Sequence, residues 1–353
     1  MSKEELLEKI KQNGQFLQYA SDELLSDKEV VLEAVKQDGL ALMYAGEKLI
    51  DNKEIVLEAV TQNGFALKYA SINLQNNKEI VIAAINQDGY ALSYAGEKFK
   101  NNKEIVLEAI KQNAHALSYA SEEIKNDKEI VLEVVKQNGN AITHSTKKMK
   151  SDIDVVLAAV MQNGKALSHV SEELKNNKEV ILAAVKRNGY ALQYASDELK
   201  NNKEIILEAV KTRGSSLQYA SEELKANKEI ILEAVKQNKN ALYYINEELK
   251  SDKKIVLEAV KQDGLSLQYA SKELKNDKEL VLAAVKQDPI SLAYASEELR
   301  TDKEMLYLLK DFLTDNKEDF SIEYELLKSY EREDKINKEL KKKNKPSRLR
   351  QKI

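Results

Sequence analysis

A lysine recurs every 25 residues along this chain. Lys3, Lys28, Lys53, Lys78, Lys103 and Lys128 are followed by Ile153 out of turn, then by Lys178, Lys203, Lys228, Lys253, Lys278 and Lys303, with no insertion or deletion between them. A period this strict and this short marks a repeat array, in which a unit too small for its own core buries its apolar face against its neighbours. Twelve copies fill residues 3–302, and their idealised form is KEIVLEAVKQNGxALxYASEELKND. Columns are named below by the copy that begins at Lys28.

Three columns are drawn almost wholly from residues that cap helices. The Asp27 column is Asp or Asn in every copy, the Asp38 column departs from these only at Arg213, and the Gly46 column holds only Ser, Gly, Thr and Asn. Such side chains accept from the free N–H groups of a helix's first turn, so each unit is expected to hold three short helical segments, near 28–37, 39–45 and 47–50. The last is short enough to be a single turn.

Nine of the eleven glycines stand in the Gly39 column. Alone they suggest left-handed residues ending the first helix. Pro289 shares the column and cannot take positive φ, whereas Asp288-Pro289 suits an N-cap followed by the first helical residue. The favoured reading is therefore a tight corner, with the Asn or Asp capping the second segment.

Apolar residues fill the Val30, Val31, Leu32, Ala34, Val35, Ala41, Leu42, Tyr44, Ala45 and Leu49 columns, a sector too wide for one amphipathic face. The Val and Ile of IVLEAV keep a strand of an α/β solenoid open as the rival reading. The Asp/Asn-Lys-Glu start and the Lys-Gln finish favour helix. The expected fold class is all-α, an α-solenoid with capped ends. Residues 1–27 form a capping copy, since Glu5 and Lys9 replace apolar residues there; 28–302 form the array, 303–330 capping helices, and 331–353 a charged tail expected to fray into disorder.

With these motifs in view, the unit resembles an uncharacterised family, a domain of unknown function whose modules of about fifty residues hold two copies of a motif like NKEIILEAV (202–210) and YASEELK (219–225). Pairing is visible inside the chain, where YAGEKL at 44–49 recurs as YAGEKF at 94–99. The resemblance covers residues 3 to 302 and implies an all-helical array. It brings no catalytic residue with it.

Composition narrows function mainly by exclusion. Cysteine is absent, so there are no disulfides, thiolate metal sites or cysteine nucleophiles, and the chain has only three histidines. No phosphate loop, zinc-ligand spacing or nucleophile elbow appears, and residues repeated in every copy do not mark one active site. No enzyme activity and no cofactor is expected. No apolar run approaches 18 residues, and MSKEELLEKIKQNG places charges where a signal peptide needs an apolar stretch, so a cytoplasmic protein without membrane insertion is expected.

Recognition should lie where copies differ. The Leu40 column holds Phe65, Tyr90, His115 and Tyr190, aromatic residues unusual on a solvated face, which make a candidate strip for a protein or peptide partner. The Tyr44 column is Tyr ten times and His at His144 and His169, and packing between helices explains it more economically than a row of ligands. The copy at GNAITHSTKKMKSDID (139–154) also replaces an acidic pair by Lys147 and Lys148. Residues 140–169, with His144, Lys147, Lys148 and His169, are therefore a candidate site for an acidic ligand.

Residues 341–353 carry seven bases and no acid, while residues 1–340 hold 48 bases against 59 acids. The tail is thus the alternative route, to nucleic acid or an anionic surface. The acidic body lacks the basic track that phosphate binding needs.

Overall fold

The computed structural model describes residues 1–343 of the chain, and among them it contains helices and no strand. Two compact units divide the chain, one spanning Met1–Ser196 and the other beginning at Asp197. The strand reading of IVLEAV is excluded.

Each copy opens with a ten-residue α-helix, such as Lys28–Gln37 or Lys53–Gln62. Its start is local chemistry: Asp27 Oδ1 accepts from the backbone N–H of Glu29 at 2.9 Å and of Val30 at 3.3 Å, and Asn52 repeats this at 3.1 and 3.2 Å. The second segment, Gly39–Tyr44 and its counterparts, is wound as a tighter 3₁₀ helix. The Asp38 carboxylate caps it by accepting from Leu40 N–H at 2.9 Å, as the corner reading required. The third segment is one helical turn, for example Glu122–Lys125, in which Ser121 Oγ accepts from Ile124 N–H at 3.2 Å.

No described residue, glycine included, has positive φ. The glycine column is explained by close approach instead. A Cβ on Gly39 would stand 2.2 Å from the Ala59 carbonyl oxygen, and one on Gly89 would stand 2.3 Å from that of Ala109, so a side chain would strike the first helix of the next copy.

Within each unit the core is the seam between successive copies. Val30, Val31, Ala34, Val35, Ala41 and Leu42 are fully buried, and their counterparts in the later copies of the first unit, from Ile55 to Leu192, are buried too. Leu32 and Tyr44, grouped with them by apolarity, remain half-exposed. Polar bonds repeat along the same seam. Ser71 N–H donates to Ile50 O at 2.9 Å and Ser121 N–H to Lys100 O at 2.9 Å, while Ser121 Oγ donates to Asn101 at 2.5 Å. Gln162 reaches back one copy, accepting from Gly139 N–H at 2.8 Å and donating to Gln137 O at 3.2 Å.

The first copy and the residues after 302 differ from the copies between them. Glu5 and Lys9 are exposed, and a reciprocal Ser2–Glu5 capping box starts the first helix. At the other end, Met305, Leu306, Leu309, Leu313, Phe320 and Leu327 pack onto Leu292 and Leu299. The final helix, Ser321–Lys343, crosses the boundary placed between residues 330 and 331. The rest of the basic tail lies outside the described residues.

Candidate functional site

In the 3₁₀ segments the Leu40 column and the Tyr44 column, separate in sequence, meet across the seam. Phe65 lies edge-on to Tyr94 with ring centroids 6.2 Å apart, Tyr90 meets Tyr119 at 5.9 Å, and His115 meets His144 at 5.1 Å. Each pair joins a residue to one 29 positions later, in the next copy. Edge-to-face rings at this spacing attract through their quadrupoles. The predicted strip is therefore partly an inter-copy clamp, yet Phe65 stays exposed and Tyr90 and His115 stay half-exposed. Tyr190 is half-exposed too, at the same position in its 3₁₀ segment.

His115 and His144 also share a hydrogen bond, Nδ1 to Nε2 at 2.8 Å, so one ring must donate and the other accept. Burial lowers the pKa of His144, and the positive potential of His115, Lys150, Lys125 and His169 lowers it further. His169, in the next copy, is lowered by burial and then by Lys150 and Lys175. All three histidines of the chain thus occupy one stretch of the first unit.

The lysines that act on these rings are not the pair singled out by sequence. Lys147 and Lys148 are exposed on a turn, and the cations felt by His144 and His169 are Lys125, Lys150 and Lys175. Lys147 matters indirectly. In neighbouring copies the corresponding lysine is held by a carboxylate three residues earlier, Lys125 by Glu122 at 3.1 Å and Lys175 by Glu172 at 2.6 Å. Lys147 removes that carboxylate, and Lys150 Nζ turns to the Thr143 carbonyl at 2.7 Å, where burial lowers its pKa. The signal was available as a missing acid three residues before a lysine.

Among the described residues, no three His, Asp or Glu side chains converge as metal ligands, and no helix is long and apolar enough to cross a membrane. What the site offers is a half-exposed row of rings set by the repeat, with a cationic stretch beside it.

Comparison with known proteins found no match among curated proteins or among solved structures. A family model described as a domain of unknown function, DUF4116, matches in overlapping windows that include residues 2–50, 52–100, 102–150, 152–200, 202–250 and 252–300. Further windows, such as 127–175 and 177–225, are offset by half a module, as two 25-residue motifs per module require. With its length from residue 2 to residue 300 so matched, the chain belongs to the DUF4116 family of domains of unknown function.

Proposed function

We propose that this chain is a non-catalytic scaffold, a twelve-copy α-solenoid whose regular seams hold a variable surface for a protein or peptide partner. The observation that carries the reading is the aromatic row. Phe65, Tyr90 and His115 are braced edge-on by the next copy and still reach solvent, which gives rigid apolar area at low entropic cost, as binding surfaces use aromatic residues. The repeated seam bonds within each unit support the solenoid, because they give every copy the same contact with its neighbour.

The test is partner recovery from the native source by wild type and by a variant with Phe65, Tyr90, His115 and Tyr190 changed to alanine. A second variant with leucine at the four positions guards against loss of fold, since Leu40 and Leu265 occupy the same column. Loss of the same partners from both variants is expected. Recovery of unchanged partners by both would overturn the strip.

A further inference from the structure

The first helices of successive copies present a second surface, and at one seam it departs from the repeat in a coordinated way. In most copies the outer face of this helix reads Lys-Leu-Lys at the Lys28, Leu32 and Lys36 columns, with Glu at the Glu33 column. On the helix Ile153–Gln162 the same face reads Ile153, Leu157 and Met161, with Ala158 in place of the acid. Ile153 and Met161 are the only apolar residues in their columns, and the next copy supplies Ala183 where an acid is usual.

Between the helices Ile153–Gln162 and Lys178–Arg187 lies an open groove of about 720 Å³, floored by Leu157, Met161, Leu182 and Ala183. Met161 is 65% exposed and Ile153 38% exposed. The molecule contains its own control. At the seam between Lys103–Gln112 and Lys128–Gln137, a groove of about 480 Å³ is lined by Lys103, Glu104, Glu108, Lys111, Glu129 and Glu133 around Leu107; Lys103 reaches across it to Glu129 at 2.6 Å, and Lys111 pairs with Glu108 of its own helix at 2.9 Å. Where Ile153 interrupts the lysine column, such a ladder has no cation to reach Glu179. Leaving this apolar area in water costs free energy that the charged version of the groove does not, so its occupant should be apolar where it touches the floor.

The rim indicates the rest of the occupant. Lys186 and Arg187 border the floor at the end of the second helix, a basic edge on an otherwise acidic body. From Ile153 to Met161 the stripe runs about 12 Å, enough for two turns of a docked helix. We infer that this groove receives an amphipathic helix of a partner protein, with leucine-type anchors against Leu157, Met161 and Leu182 and acidic residues facing Lys186 and Arg187. This surface is made of other residues than the aromatic row and stands or falls separately from it.

The test is a fluorescence anisotropy titration of the full chain with a labelled helical peptide carrying leucines at i, i+3, i+4 and i+7 and glutamates on its flanks, beside a twin with lysines in place of the glutamates. The competing protein is A158E/M161K/A183E, which restores residues that other copies carry at the same positions and so keeps the fold. The glutamate peptide is expected to bind wild type at least tenfold more tightly than it binds this variant, and at least tenfold more tightly than the lysine twin binds wild type. Alanine substitution of the aromatic row should leave this binding unchanged. Equal binding by both peptides, no binding by wild type, or no loss on restoring the three charges would overturn the assignment. So would concentration-dependent dimerisation abolished by the same three substitutions, which would make a second copy the occupant. Loss in the aromatic-row variant alone would move the peptide to that row and leave the scaffold reading standing.

Discussion

Gly39 lies so close to Ala59 of the next copy that a Cβ on the glycine would stand 2.2 Å from the alanine's carbonyl oxygen. Since φ is not positive there, the glycine is needed for space and not for backbone freedom. Gly39→Ala should therefore destabilise the first unit by about 1–3 kcal/mol, the range for forcing extra volume into a packed seam. Urea denaturation of wild type and variant measures it, and an unchanged midpoint would show that the seam gives way freely.

The same column shows what relief looks like. Ala114 stands among the glycines, the helix of the next copy carries Val134 where alanine is usual, and the groove of about 480 Å³ opens at that seam. Much of the fold was legible before this detail. Capping is chemistry between residues two or three apart, so the Asp27 and Asp38 columns announced helix starts from sequence alone. The role of Gly39 was not legible, because the atom it avoids lies twenty residues away in a register that only the packed copies define. For the same reason the Leu40 and Tyr44 columns read as two features. They are one, joined at a separation of 29 residues.

The histidines predict a pH dependence. His144 and His169 have folded pKa values below the ordinary value of about 6.5, so the unfolded chain binds more protons as pH falls. Their contribution to stability is complete above about 6.5 and is lost as pH falls through the lowered folded values. Thermal midpoints between pH 7.5 and 5 should drop more for wild type than for H144Y/H169Y, which carries the residue usual in that column. Parallel curves would contradict the assignment.

Lys147 is expected to act on His144 through Lys150. Lys147→Glu restores the acid that holds the corresponding lysine in neighbouring copies and should draw Lys150 away from the Thr143 carbonyl. The His144 midpoint, followed by proton NMR of the imidazole, should then rise. A midpoint that stays or falls would show that burial alone sets it.

At the end of the chain, Glu323 is 2% exposed and takes both the Nε of Arg300, at 2.7 Å, and its Nη2 on one carboxylate oxygen. Glu323→Ala leaves a guanidinium without its partner beside the capping helices. A loss of roughly 2 kcal/mol is expected, below the 3–5 kcal/mol of a fully enclosed pair because Arg300 reaches solvent. Denaturation followed by a probe in the second unit measures it, and a loss under about 0.5 kcal/mol would reduce the pair to an ordinary surface bridge.

On the proposed function, the braced aromatic row receives a partner. Hydrogen–deuterium exchange of the full chain, alone and saturated with its isolated native partner, tests this most directly. Slowed exchange, by roughly tenfold or more, is expected in the segments Gly64–Tyr69, Gly89–Tyr94 and Ala114–Tyr119. Protection confined to residues outside these three segments, with their exchange unchanged on binding, would contradict it.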